Sequence, residues 1–219
     1  MYVRLQNTGI EGIKARVCPR SASRRSKWIG ATTYLPFARS SDTIRRMGFA
    51  LERSIEMLSS SPGTLRAWLG GLSGDWTASA GDRDNWEPYD IVGHLIHADE
   101  TDWIPRARVI LAQGEDRRFP PFDRYGQFER PQGRPLAELL DEFAAVRKQC
   151  LDELTRWNLT PEQLKLCGIH PEFGEVSLAQ LLSTWVVHDL THIRQIATAM
   201  ARRYETAVGP WKAYLSILN

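Results

Sequence analysis

Cysteine is scarce in this chain: Cys18, Cys150 and Cys167 are the only three in 219 residues, and no two form a CxxC pair. That odd count points to neither a disulfide framework nor a thiolate zinc site, and it fits a reducing, cytoplasmic setting. Long apolar runs are missing as well. None approaches the roughly 20 residues that span a bilayer, so no membrane partner is expected, and residues 1–46 lack the apolar core of a secretory signal. Strand-like alternation is absent, so no β-structure is expected. Acidic residues are rare at the start: residues 1–46 hold ten Lys or Arg against two acids, whereas residues 47–219 hold eighteen against twenty-four. The formal net charge of +2 thus hides a mildly acidic body, which argues against a nucleic-acid groove.

The first 46 residues are rich in Arg and Ser and show no periodicity. They read as an organelle-targeting peptide, a disordered basic tail, or an extension upstream of a true start at Met47. Regular patterning begins at Met47, which favours the last, with residues 47–219 as the folded domain and residues 1–46 as a basic, disordered extension. Four helical segments follow. The first covers about 47–72, interrupted near Ser61-Pro62-Gly63. The second covers about 87–113 and opens at Trp86-Glu87-Pro88, with Pro in the first turn. The third covers about 135–157, and the fourth about 177–203 with Ser177 as N-cap. Two long connections, Phe119 to Arg134 and Thr160 to Val176, separate the later helices. Four amphipathic helices with such crossovers predict an all-α four-helix bundle.

His188 and His192 lie four residues apart in a segment without Pro or Gly. On a helix of 3.6 residues per turn they stack on one face, where two imidazoles can close on one metal ion. With residues placed at 100° steps, Leu178, Leu181, Leu182, Trp185, Ile193, Ile196 and Met200 form the apolar stripe. The two histidines fall at its margin with Gln195 beside them. Two inward-leaning imidazoles are costly to desolvate without partners, and a shared ion offsets that cost. On the second helix His94 sits at the same kind of margin and His97 is turned further toward solvent. His94 is therefore the expected third ligand, and His97 is expected either to support a ligand from behind or to line the entrance.

Charges also break into the apolar arcs. Asp99, Asp102 and Arg106 project inward on the second helix, and Asp189 does so on the fourth. Asp102 and Arg106 can pair at i,i+4. Asp189 has no opposite charge in its own helix, and Arg106, the Trp103 indole or a ligand imidazole are its expected partners. These arcs read either as a buried ion-pair network or as groups serving a metal. In the second reading Asp102, Asp189 and Gln195 orient a ligand imidazole or handle protons.

The run Val92-GHLIHADETDWIPRARVI-Leu111, followed by His170-PEFGEVSLAQLLSTWVVHDLTHIRQI-Ala197, resembles the DinB-like superfamily of four-helix-bundle metalloenzymes. The resemblance covers Met47 to the C-terminus and is carried by the Gly-His of the second helix and the His-Asp-x-x-His, then Gln, of the fourth. It implies that His94, His188 and His192 bind a divalent metal. It further implies thiol-dependent transferases among the relatives, which use low-molecular-weight thiols. A zincin protease would need Glu directly after the first His of the pair, where Asp189 stands, and is set aside.

The expectation is therefore a metal-dependent transferase or hydrolase acting on a small molecule, with S-transfer from a thiol or hydrolysis as its chemistry. Zinc is the default ion for imidazole donors, and nickel and iron suit the same ligands. The competing expectation is a non-catalytic, homodimeric bundle that binds a partner or small ligand. Neither reading gives the chain a nucleic-acid partner.

Overall fold

The computed structural model describes residues 48–79 and 81–219; the expected basic extension lies outside the described residues. The helices are α1 (Leu51–Leu69), a single turn α2 (Gly74–Thr77), α3 (Pro88–Ala98), α4 (Ile104–Ala112), α5 (Leu136–Arg156) and α6 (Leu178–Arg202). Both α1 and α3 pack against α5 and against α6. The order around the bundle is thus α1, α5, α3, α6. The first and second long helices face each other across a diagonal, as do the third and fourth. A chain that must cross a diagonal needs more than a tight turn, which accounts for the lengths of chain between α1 and α3 and between α5 and α6.

Local chemistry sets the ends. Ser177 caps α6: its hydroxyl accepts the Gln180 amide N–H while Gln180 Oε1 accepts that of Ser177, the reciprocal capping box. At the start of α3, Asp90 Oδ2 accepts the Glu87 amide at 3.0 Å and Pro88 occupies the first turn. Arg203, just past α6, donates to Glu87 Oε2 at 2.6 Å. That bond ties the end of α6 to the start of α3.

Three sequence expectations need correction. The first helix is not interrupted at Pro62 but runs through it. Proline removes the N–H that would bond the carbonyl four residues back, here that of Leu58, and Arg147 Nη1 donates to that carbonyl at 3.0 Å. The helix stays whole because a side chain from α5 takes up the orphaned acceptor. The second helix is not uniform, since a π turn, Asp99–Trp103, joins α3 to α4. The second long connection is not free of strands: Cys167–His170 (β1) and Gly174–Ser177 (β2) form an antiparallel hairpin. Each strand has four residues, too few to show alternation. Residues 171–173 form the hairpin's loop, and Gly174, the first residue of β2, has φ +72°, a left-handed value that glycine adopts without a Cβ clash. The first crossover is pinned to this hairpin, for Phe119 N–H donates to Ile169 O and Ile169 N–H to Arg117 O.

The core has two apolar parts. One gathers Leu58, Trp103, Ile104, Leu154, Leu182 and Trp185; the other gathers Leu65, Leu95, Leu140, Phe143 and Ile196. Charged side chains lie buried among them. Arg147 (1% exposed) sits between Asp99 and Asp189, both equally buried. Its Nε and Nη2 donate to Asp99 at 2.7 and 3.1 Å, and its Nη1 and Nη2 to Asp189 at 2.5 and 3.0 Å. With the Leu58 carbonyl included, all five guanidinium N–H donors are used. Trp185 Nε1 adds a bond to Asp99 Oδ1 at 3.0 Å. Burial pushes the Asp99 carboxyl up to about 6, against the opposing pull of Arg147. Burial likewise works against the charge on Arg147, but the two carboxylates more than offset it and hold the guanidinium protonated.

Candidate metal centre

Two helices deliver the three histidines. α6 presents His188 and His192 one turn apart, and the neighbouring α3 brings His94 against them. One ring nitrogen from each lies within 4.8 Å of the others. His94 Nε2 is 3.3 Å from His188 Nε2, which is 3.1 Å from His192 Nε2. Nitrogens each ~2.0–2.1 Å from one ion at a tetrahedral angle would be roughly 3.3 Å apart. The observed spacings fit a shared ion without rearrangement of the helices.

The protonation chemistry fits as well. Gln195 Oε1 lies 2.8 Å from His192 Nδ1; an amide oxygen can only accept, so Nδ1 carries the proton and Nε2 keeps its lone pair. Burial, then the neighbouring His192 and His188's other companion His94, push the His188 pKa down to about 2. Burial and His192 push that of His94 down to about 3, with His97 and Arg124 acting in the same direction. His192 is lowered chiefly by burial. All three rings are therefore neutral donors. Gln127 lies beside His94 and favours its protonated ring, but no hydrogen bond between them closes within ordinary limits.

Aromatic walls surround the cluster. The Trp86 ring is 4.8 Å from His94 and stacks over His192 at 6.2 Å. Phe122 meets His94 edge-on at 5.8 Å, and Trp103 meets His188 at 5.1 Å. These walls explain the desolvation. The Arg124 guanidinium lies 5.9 Å over the Trp86 ring.

The remaining sequence candidates separate by role. Asp102 lies 2.6 Å from Arg106 Nε, as i,i+4 spacing predicts, although Oδ1 is poorly aligned for a hydrogen bond. Burial raises its pKa to about 6 despite that neighbour. Asp189 finds its partner in Arg147 of α5, not in Arg106, Trp103 or an imidazole; both of its oxygens are taken. The sequence reading overlooked Arg147, although it stands in the apolar stripe of α5 between Phe143 and Leu151, a position where a charge signals a buried partner. His97 does not face the cluster. Its Nε2 is 3.0 Å from the Asp123 carbonyl and its ring packs so closely on Gly126 that a Cβ there would lie 2.3 Å away. It clamps the first crossover onto α3. Gln127 was also overlooked, because nothing in a loop sequence tells which side chain folds inward.

Comparison with known proteins agrees with this architecture. YfiT from Bacillus subtilis, described as a probable metal-dependent hydrolase with an unusual four-helix bundle topology, superposes with a TM-score of 0.59 at 20% identity, over 74% of this chain and 94% of that one. No curated protein sequence matches. The family model of the DinB superfamily matches residues 57–196. Those residues include all three histidines, and the chain belongs to the DinB superfamily.

Proposed function

We propose that this protein is a divalent-metal-dependent hydrolase acting on a small molecule. The observation that carries the reading is the convergence of three neutral imidazole nitrogens, on two buried histidines and one half-buried, from two helices at 3.1 and 3.3 Å. His94, His188 and His192 would hold the ion, and a divalent ion supplies Lewis acidity and makes water or a thiol more acidic. Gln195 fixes the His192 tautomer. The Asp99–Arg147–Asp189 layer ties the helix that carries His188 and His192 to α5 and to the π turn. Trp86, Phe122 and Trp103 exclude water from the rings. Asp102 and Asp189 are both engaged with arginines, so their part is to hold the helices that carry the ligands.

Hydrolysis is preferred to S-transfer because YfiT is described as a probable metal-dependent hydrolase. Thiol transfer uses the same three donors and is the competing chemistry. Protein purified without a polyhistidine tag should carry or take up one zinc ion per chain. His188→Leu should lose it while retaining its helical content. A wild-type protein that takes up no zinc, cobalt or nickel would instead favour the non-catalytic bundle. With cobalt as a spectroscopic substitute, a sulfur charge-transfer band on adding a small thiol would favour S-transfer.

A further inference from the structure

Gln127 occupies the short 3-10 turn Gly126–Glu129 of the first crossover, is 3% exposed, and has no hydrogen-bond partner at either end of its amide among the described residues. A buried amide in that condition loses its water on both ends without return, and such a group calls for a partner. Its side chain packs on Gly93, where an added Cβ would lie 3.4 Å from Gln127 Cβ. Gly93 directly precedes His94, whose Nδ1 is also buried and unpartnered. Because His94 Nε2 is the atom that faces His188, a lone pair there requires the proton to sit on Nδ1. A buried N–H without an acceptor thus lies beside a buried amide oxygen without a donor.

We propose that Gln127 is the positioning residue for His94, its Oε1 accepting the Nδ1–H when the three imidazoles gather on an ion. Gln195 already does the same for His192 across the site. The inference rests on the metal-centre reading above. The other end of the amide has a second outlet: Gln127 and Tyr89, whose Oη is also buried and unpartnered, line one cavity of about 20 Å³ with Asp90 and Gly93. That space suits a single bridging water. The arrangement also couples site and loop, since His97 clamps the turn that carries Gln127.

The test compares wild type, Gln127→Leu and Gln127→Glu in full-length protein. Zinc affinity is measured by chelator competition, melting without metal, and ring tautomers by nitrogen-15 NMR. Gln127→Leu should bind zinc about 10-fold or more weakly with a metal-free melting temperature no lower than wild type. Gln127→Glu, a stronger acceptor, should match or exceed wild-type affinity. Leu and wild type binding zinc alike, or Glu binding as weakly as Leu, would overturn the proposal. NMR applies even if a variant misfolds: His94 in wild-type protein should be the Nδ1–H tautomer, and an Nε2–H ring refutes the role. Failure of wild type to take up zinc would count against the metal reading, while the tautomer would still judge Gln127.

Discussion

His94 and His188 hold protons far less readily than a free imidazole, because burial disfavours the charged ring and a neighbouring ring would add a like charge. An unfolded chain returns them to about 6.5. Below that pH the unfolded chain binds more protons than the folded one, so stability is complete above 6.5 and falls as the pH drops toward the folded values. Asp99 and Asp102, raised from 3.8 to about 6, act in the opposite sense and weaken the fold as pH rises through that window. The imidazole part is isolated by comparing metal-free wild type with His188→Leu in urea titrations. Between pH 6.5 and 5 the wild type should lose about 2 kcal/mol more than the variant. Equal losses would show that His188 titrates freely and is not enclosed.

At the scale of elements, Arg147 joins three helices: its own α5, α6 through Asp189, and α1 through the carbonyl that Pro62 leaves free. It also reaches Asp99 in the π turn, so the irregularities of two helices meet on one side chain. Phe143 and Trp185 lie against its guanidinium at 4.9 and 5.1 Å, which confines it further. Removing one partner from a buried ion-pair group leaves charges without compensation. Arg147→Met should therefore cost about 3–5 kcal/mol of unfolding free energy, measured by chemical denaturation. A loss below about 1 kcal/mol would mean that water replaces the guanidinium. Arg147→Lys should not rescue, since an ammonium has three donors and no planar fork.

Across the whole molecule, residues 47–219 form one compact unit, and among the described residues no helix is long and apolar enough to cross a membrane. The three clustered histidines come from α3 and α6, neighbours around the bundle though far apart in sequence. The Arg- and Ser-rich composition of residues 1–46 leads to one prediction at this scale. A chain beginning at Met47 should melt within a few degrees of the full-length protein and bind zinc equally. A large drop in melting temperature would mean that the basic segment packs on the domain.

The sequence by itself determined the four long helices, the crossovers and the histidine trio. Apolar residues recurring at the helical period survive any tertiary arrangement, and an i,i+4 pair shares a face wherever its helix lies. The inward lean of Asp99, Asp102, Arg106 and Asp189 was legible for the same reason. So was the Asp102–Arg106 pair, which lies within one helical stretch. What only the tertiary structure decided is which groups meet across helices. The Asp189–Arg147 pair, the rescue of Pro62 and the inward fold of Gln127 depend on helix order and on the path of a crossover. No local period encodes either. The π turn lay beyond a helical wheel because a wheel assumes a constant turn angle. The hairpin was hidden because four-residue strands are held by their loop and by a bridge to another crossover, not by an alternating pattern of their own.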